Sequence, residues 1–514
     1  ISIVFKGTDI PWEQMAQEVS EEDIAAFEAM RDLVSKKSFA ASLSVKQNLL
    51  TFSIGPSNEH LQNLGKNPLL IDHPLMKPVK DAKVAGKTLT SVSYVSEATI
   101  AASIENSLNT IASIPFSIQA GLASVPAETM SPAEREELNK SVQQDISELL
   151  VDLRSYFGKP GATIGYSFQS AAGIEGFLFN HSENKFADAS APLRLTKHLG
   201  QNPTMFLLSR EKQGHLKYEM LRKHCGKLFA YLQKYAPQIM DDMEEVKSFT
   251  EAMARLSPIL QKLDSVTSEK FMPNASAGES GLVMSLANEK KSLGFMEATD
   301  QSLPLPAFAI IADIRNPEIV KQALEEYYEI AKELFHAYRD LNEVEVFKTL
   351  EFPGLQRKSV GDAEMFYLPL AEEFGDDAWL MPHVLVGSDL LVFGTMEEQS
   401  AKMMVETTTP FFGPAGEAGP GFGALYFDHR QMVDGLQHWI SFGFQQFLKS
   451  DGKLELASNG EIKDLEMTES DIRETTTRFL RFLGCFEGYS SRSYMDNQVQ
   501  VNHYLWKFTD LTGE

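Results

Sequence analysis

Two stretches of the chain read alike: "GYSFQSAAGIEGFLFN" at 165–180 and "GYSSRSYMDNQVQVNHYLW" at 488–506. Each begins with Gly-Tyr-Ser after a helix-like run and continues into alternating apolar and polar residues, the period-two pattern of a β-strand. Turn residues interrupt the alternation near 170–173 and 495–497, so each stretch predicts a β-hairpin. The same local pattern therefore occurs twice.

The helix-like runs before these hairpins also match. "DISELLVDLRSYFG" (145–158) and "DIRETTTRFLRFLG" (471–484) share Asp-Ile, a glutamate three residues after the aspartate, and a final glycine. The apolar residues of the first run fall on one helix face. Gly158 and Gly484 stand where a residue in the left-handed conformation commonly ends a helix. Both runs are predicted to be helices.

A second pair of hairpins precedes these helices, in "SLSVKQNLLTFSIGPSNEHLQNL" (42–64) and "PHVLVGSDLLVFGTMEEQSAKMM" (382–404). Each reads as a strand, a polar turn and a second strand that ends at a glycine. A helix is predicted to follow, with Ser57 or Thr395 as its N-cap, and the spacing from Thr395 to Glu398 is that of a capping box.

The matched features follow one another in the same order, which predicts a tandem duplication of an α+β unit with a mainly antiparallel sheet and packed helices. The first copy is expected at 1–185, truncated at its N-terminus. A linker is expected at 186–203, and the second copy at 204–514 with a helical insertion at about 216–264. The Gly-Tyr-Ser tyrosines, Tyr166 and Tyr489, are interpreted as structural anchors of the sheet.

Two local signals in the second copy are clear. "PAFAIIADIRNPEIVKQALEEYYEIAKELF" (306–335) reads as a buried strand, then Asn316 as N-cap, Pro317 at the first helical position and an amphipathic helix. The predicted insertion carries an apolar stripe at helical spacing, which core packing explains most simply. Its residues are Leu221, Cys225, Leu228, Phe229 and Leu232.

Composition narrows the classes of function. The 514 residues include 71 acidic and 47 basic side chains, a net charge of −24, which disfavours nucleic-acid binding. No apolar run approaches the roughly 18–20 residues that span a bilayer. The two cysteines, Cys225 and Cys485, are either buried free thiols or one bridge, and free thiols are favoured. The chain begins at Ile1 inside a strand-like run, which leaves open a signal peptide or lipid anchor before it.

Catalytic and metal motifs were sought, and no catalytic residue is assigned. The eleven histidines show no metal-ligand spacing, and no bound cofactor or metal is predicted. "GPAGEAGPGFG" (413–423) lacks the Lys-Ser/Thr that follows a phosphate-binding loop, so it is interpreted as a linker loop. The acidic clusters at 241–245 and 372–377 lack EF-hand spacing and are interpreted as solvated charge.

The arrangement of the strand–helix run at 306–324 and the later hairpin and helix at 383–404 resembles a family of uncharacterised, usually exported bacterial proteins that carry a domain of unknown function. The resemblance covers mainly 204–405, with echoes at 42–65. It implies an exported bacterial protein, periplasmic or extracellular, and supplies no activity or catalytic residues.

Three hypotheses follow. The first is a non-catalytic exported binding or assembly (scaffold) protein, whose partner is an unknown protein or a second copy. The second is a small-molecule or lipid carrier with an apolar pocket between a sheet and the helices at 216–263. The third is a hydrolase whose site assembles from distant loops.

Overall fold

The computed structural model describes residues 2–17, 19, 24–46, 49–57, 59, 69–123, 125, 129–212, 214–240, 242–275, 278–290, 302–341, 351–369, 381–407, 410–449, 455–458, 461–464, 474, 478, 480 and 483–509. The chain forms two compact units, 1–85 and 86–514. The boundary between the two compact units, at 85/86, differs from the boundary at 186–203 that the predicted duplication places between its copies. The boundary at 186–203 stays a prediction of the sequence.

The first unit contains an antiparallel three-stranded sheet in the order β1-β2-β3. The predicted hairpin at 42–55 is confirmed as β2 and β3. The bounds of this unit's strands and helices are β1 Ser2–Lys6, α1 Trp12–Ala16, α2 Ile24–Ser35, β2 Ser38–Lys46, β3 Leu49–Gly55 and α3 Lys77–Val84.

The second unit is built on an antiparallel sheet of 13 strands. In chain order these are β4 Leu89–Val95, β5 Thr163–Ser170, β6 Gly173–Asn180, β7 Met205–Arg210, β8 Glu279–Lys290, β9 Leu303–Asp313, β10 Gln356–Val360, β11 Ala363–Tyr367, β12 His383–Val386, β13 Leu390–Gly394, β14 Gly423–Asp428, β17 Phe486–Asp496 and β18 Val499–Phe508. Their order across the sheet is β10-β11-β12-β13-β9-β8-β7-β14-β17-β18-β6-β5-β4. A separate hairpin joins β15 Glu455–Ser458 to β16 Glu461–Asp464.

Helices connect these strands, and mixed helix and antiparallel sheet make the chain an α+β protein, as the sequence predicts. The helices of the second unit are α4 Glu97–Ala112, α5 Ile114–Ala123, α6 Pro132–Phe157, α7 Gly214–Ile239, α8 Met243–Ser265, a π-helix Val266–Phe271, α9 Met272–Ala275, α10 Pro317–Leu341, α11 Glu397–Met403 and α12 His429–Lys449. The predicted insertion at about 216–264 is therefore two helices, α7 and α8.

A large hydrophobic core lies against one face of the sheet. Residues that are paired across neighbouring strands, such as Leu208, Ile311 and Val392, point into it and are almost completely buried. The segment predicted as a linker contributes Leu193 and Leu195 to the same core. On the opposite face, α10 and the π-helix cover one end of the sheet through a second core cluster that includes Val320, Phe366, Val386 and Leu391.

The strand–helix prediction at 306–335 is confirmed. β9 is followed by α10, which begins at Pro317, and the Asn316 side chain accepts a hydrogen bond from the Ile319 N–H at 3.3 Å. The N-cap prediction for Thr395 is wrong, because the residue before α11 is Met396. The Thr395 hydroxyl instead accepts a hydrogen bond from the Phe308 N–H of β9 at 3.0 Å.

The two Gly-Tyr-Ser hairpins are confirmed as β5–β6 and β17–β18, and they lie side by side because β6 pairs with β18. The first turn lies where predicted; the second lies at Asn497–Gln498, whose φ values of 47° and 69° are those of a tight hairpin turn. The tyrosines point to opposite faces of the sheet, since Tyr166 is in one row with Arg492, whereas Tyr489 is in one row with Gln169.

The helix prediction for 145–158 is also confirmed: α6 ends at Phe157, and Gly158 follows it with a φ of 66°. Most of its predicted counterpart, 471–484, lies outside the described residues, as do the acidic cluster at 372–377 and the helix predicted after Ser57.

Candidate functional site

A charged cleft of about 470 Å³ opens where the end of β7, the first turns of α7 and the π-helix meet. Its volume lies within the range of small-molecule sites. We call it the π-helix cleft and define it by its lining residues, which are Asp188, Glu211, Lys212, His215, Tyr218, Glu219, Arg222, Ser268, Glu269, Met272, Pro273 and Arg315.

One wall of the cleft is the π-helix itself. The Met272 N–H donates to the carbonyl of Thr267, five residues earlier, and Pro273 follows. Proline has no N–H, and its ring would clash with the carbonyl four residues before it in a regular helix, here that of Glu269. The wider turn just before Pro273 relieves that clash. π-Helical turns are rare in proteins, and those that occur are often found at functional sites.

The opposite wall comes from the first two turns of α7. His215, Tyr218, Glu219 and Arg222 all line the cleft, and their spacing of three and four residues places them on one side of the helix. The floor is the end of β7, where the Lys212 N–H donates to the Phe186 carbonyl at 2.6 Å.

Some charges of the cleft are already paired. The Lys217 ammonium forms an ion pair with Glu211, and the Arg222 guanidinium donates to the Asp264 carboxylate at 2.8 Å. Burial alone would raise the pKa of Asp188. Hydrogen bonds from Ser190 and the positive charge of Arg210 outweigh burial, so this pKa lies below its ordinary value. These groups fix the shape of the cleft.

Five other charged or titratable side chains line the cleft without a hydrogen bond or ion pair to another described residue. They are Lys212, His215, Glu219, Glu269 and Arg315. They bring charges of both signs to one concave surface. A molecule that carries both a cationic and an anionic group is therefore complementary to the cleft.

A partly exposed ionic cluster lies at the strand end that carries Arg315. The Arg194 guanidinium forms ion pairs with Asp313, at the end of β9, and with Asp389. Glu279, 1% exposed, accepts hydrogen bonds from the N–H groups of Arg194 and Leu195 at 2.9 and 2.7 Å. Burial raises the pKa of Glu279.

The main chain ties Arg315 to α9. Its N–H donates to the Asn274 carbonyl at 2.8 Å, and the Asn274 amide donates in turn to the Lys270 carbonyl at 2.7 Å. The backbone that carries Arg315 is therefore anchored next to the π-helix, at the edge of the cleft.

The residues singled out in the sequence lie elsewhere. Tyr166 is buried among the rings of Phe168, Phe177 and Phe179, and Tyr489 contacts Trp506 with ring centroids 4.7 Å apart. Both tyrosines therefore pack within the sheet.

Cys225 and Cys485 are not joined by a disulfide bond. Cys225 is exposed, so the expectation that it is buried is wrong. Three leucines of its stripe are also exposed, since Leu221, Leu228 and Leu232 retain 59%, 60% and 50% of their accessible surface, whereas Phe229 is half-buried. The prediction that core packing explains this stripe is wrong, because the contacts of α7 to α6 and α8 are made by its other faces.

The loop at 413–423, interpreted from the sequence as a linker, also packs against the sheet. Pro414 and Ala415 are buried, and the Ala415 N–H donates to the Ser490 hydroxyl at 2.9 Å. Arg492 donates to the carbonyl oxygens of Ala418 and Pro420 at 3.3 and 2.9 Å. The loop is thus fastened to β17.

Ser400 and His383 both lie next to Gly394 in the core, but neither the Ser400 hydroxyl nor Nε2 of His383 has a hydrogen-bond partner among the described residues. A Cβ placed on Gly394 would lie 2.0 Å from the Ser400 hydroxyl and 3.1 Å from Nε2 of His383. Both side chains are 1% exposed. A substrate carbonyl could not reach a hydroxyl buried to this extent, so the pair does not support the hydrolase hypothesis.

Within the described ranges, no group of three or more His, Cys, Asp or Glu side chains is arranged to hold a metal ion. No helix in the part of the chain that the structure describes combines the length and apolar character needed to cross a membrane. Comparison with known proteins finds no matching family model, no similar curated protein and no similar solved structure.

Sequence reasoning missed the π-helix cleft. Its lining comes from four separate segments, 188, 211–222, 268–273 and 315, which converge only through the order of strands in the sheet. One local signal was present: Pro273 closely follows a long helical pattern that would otherwise continue, which marks an irregular turn.

Proposed function

We propose that the protein is a non-catalytic binding protein that takes a small zwitterionic molecule in the π-helix cleft. The main support is a set of charges of both signs on one concave surface, whose side chains form no hydrogen bond or ion pair with another described residue. Lys212 and Arg315 would bind the anionic group, and Glu219 and Glu269 would bind the cationic group. The hypothesis of a carrier with an apolar pocket is less favoured, because this lining is mostly charged.

The dipeptide alanyl-alanine is a suitable first probe, because it carries both charges and little else. Isothermal titration calorimetry should detect its binding to the full chain. N-acetylation, which removes the cation, or C-terminal amidation, which removes the anion, should each abolish most of that binding. Absence of binding by the unmodified dipeptide would reject the proposal.

An Arg315→Ala variant tests the site itself. Losing a charge-assisted hydrogen bond should weaken alanyl-alanine binding about tenfold or more. Arg154→Ala, which removes another exposed arginine on α6, is the matched control and should leave binding unchanged. Equal affinities for the Arg315→Ala variant and the unmodified chain would contradict the assignment of the cleft.

Assembly is a second candidate function, favoured by the exposed stripe of α7. Leu221, Cys225, Leu228 and Leu232 follow one another at intervals of four, three and four residues, the spacing of a coiled-coil seam. Its partner would be the same stripe of a second copy.

Light scattering should give about twice the monomer mass of 57.3 kDa, and Leu228→Glu should return the mass to that of the monomer. Val151→Glu, at an exposed valine of α6, is the control and should leave the mass unchanged. A monomeric unmodified chain at tens of micromolar protein would reject assembly through this stripe.

We also propose that the chain arose by tandem duplication. The strand order supports this, since β4-β5-β6 and β14-β17-β18 flank the β6–β18 contact as mirror-ordered trios. In each trio a strand and its following helix precede a hairpin. An experimental structure that shows residues 471–484 as a helix preceding β17, as α6 precedes β5, would support the duplication.

The exported, bacterial character implied by the family resemblance is likewise a proposal, supported by the acidic composition. Cell fractionation of the complete gene product would test it: recovery of the protein only from the cytoplasm would reject an exported location.

A further inference from the structure

A second pocket, of about 430 Å³, adjoins the π-helix cleft on the other side of the first turns of α7. Its lining is richer in apolar and aromatic side chains than that of the cleft. We call it the aromatic pocket; its residues are Asp152, Ser155, Tyr156, Lys185, Phe186, Leu216, Glu219, Met220 and Lys223.

Glu219 lines both pockets. On α7, Leu216, Met220 and Lys223 face the aromatic pocket, whereas His215, Tyr218 and Arg222 face the cleft. Glu219 therefore lies on the ridge between the two, and its carboxylate has no partner among the described residues. A cationic group bound to this carboxylate would have the cleft on one side and the aromatic pocket on the other.

The aromatic wall is built from two rings in contact. The ring centroids of Tyr156 and Phe186 are 4.8 Å apart, and Leu216, 39% exposed, offers apolar surface nearby. The Lys217 ammonium lies 5.8 and 5.4 Å from the two centroids. The ion pair of Lys217 with Glu211 links this wall to the cleft.

We infer that the ligand is a short peptide whose first residue is aromatic. The terminal amine would bind Glu219, the first side chain would pack against Tyr156, Phe186 and Leu216, and the terminal carboxylate would reach Lys212 or Arg315. Such a ligand carries an amine, an aromatic side chain and a carboxylate close together. These three groups match the ridge at Glu219, the aromatic pocket and the cleft. This inference rests on the proposed function of the cleft.

Three dipeptide probes separate the inference from that function. Phenylalanyl-alanine should bind the full chain about tenfold more tightly than alanyl-alanine, because its ring is buried against the aromatic wall. Alanyl-phenylalanine has the same composition with the ring on the second residue, and it should show no such gain. Equal binding of all three would overturn the inference and leave the proposed function standing. Binding of none would reject both.

A Leu216→Ala variant locates the ring. Leu216 is partly exposed, so its truncation should disturb folding little. In the variant, the ratio of the affinities for phenylalanyl-alanine and alanyl-alanine should fall from about tenfold to near one. An undiminished advantage in the variant, or equal gains for the two isomeric phenylalanine dipeptides, would overturn the placement of the ring.

Discussion

At Gly488 the fold leaves no room for a side chain. A Cβ there would lie 2.4 Å from the Phe427 carbonyl oxygen and 2.6 Å from the Phe412 ring. At Gly165, in the other Gly-Tyr-Ser tripeptide, the nearest atom would be the Ser93 hydroxyl at 2.5 Å. A backbone oxygen held in a sheet cannot move away, whereas a hydroxyl can rotate.

Substitution of these two glycines should therefore have unequal effects. Gly488→Ala should lower the free energy of unfolding by about 1–3 kcal/mol, the usual cost of overpacking. Gly165→Ala should change it by less than about 1 kcal/mol, because alanine also restricts the unfolded chain. Urea denaturation of both variants gives the comparison. Equal losses would contradict the different surroundings of the two glycines, a rigid backbone carbonyl at Gly488 and a rotatable hydroxyl at Gly165.

Single residues also show how far sequence can predict local structure. Asn316 was predicted correctly as an N-cap because its helix carries Pro317 and Glu318 in the favoured positions. Thr395 had equally good local spacing, but its hydroxyl is engaged by the Phe308 N–H of a strand distant in sequence. The spacing of nearby residues cannot predict a hydrogen-bond partner that lies far away in the sequence.

Several ion pairs join α6 and α7 beside the cluster in which Leu138 and Val142 pack against Tyr235. The Lys223 ammonium forms ion pairs with Glu148 and Asp152 at 2.6 and 2.9 Å, and the Lys227 ammonium lies 2.7 Å from Asp145. Hydrogen bonds from Lys223 and then Lys227 lower the pKa of Glu148 to about 2. The pKa of Asp152 is lowered in the same way by Lys223 and His224.

This contact should weaken in acid. A carboxyl group with a lowered pKa in the folded state contributes stability above its unfolded pKa, here 4.5 for Glu148, and loses it as pH falls toward 2. The thermal midpoint of Lys227→Met should therefore lie below that of the unmodified chain at pH 6. The gap should narrow between pH 4.5 and 2.

The control is Lys402→Met, which removes the exposed ion pair with Glu398 in α11. Surface pairs of this kind contribute little, so its midpoint should stay close to that of the unmodified chain. A gap for Lys227→Met that is constant with pH would contradict the role given to the α6–α7 ion pairs.

Helix periodicity predicted which residues of α7 share a face, and that part is confirmed in the helix bounds. It could not predict whether another element covers that face. The polar side of α7 meets α6 through charged pairs, and the apolar stripe is left exposed. The periodicity therefore predicted the helix correctly, but the expectation that its apolar stripe packs in the core is wrong.

At the scale of the whole molecule, the cleft depends on the order of the 13 strands. β7, β8 and β9 are neighbours, so the segments that follow β7 and β9 bring Lys212 and Arg315 to one cleft although about a hundred residues separate them. The sequence predicted β9, but strand order across a sheet is set by long-range packing that a single sequence does not display.

The net charge of −24 disfavours an anionic ligand, because a negative surface repels anions at a distance. A zwitterion escapes most of that repulsion, so the net charge is compatible with the ligand proposed for the cleft.

Methyl NMR on methionine-labelled protein tests this account most directly, because two of the 20 methionines report on the two pockets. Met272 lines the π-helix cleft and Met220 lines the aromatic pocket; each signal can be assigned by substitution to leucine. Alanyl-alanine should shift the Met272 signal in a saturable manner, and phenylalanyl-alanine should shift that of Met220 as well. A Met272 signal that stays unchanged at millimolar dipeptide would contradict the central claim that the π-helix cleft is a binding site.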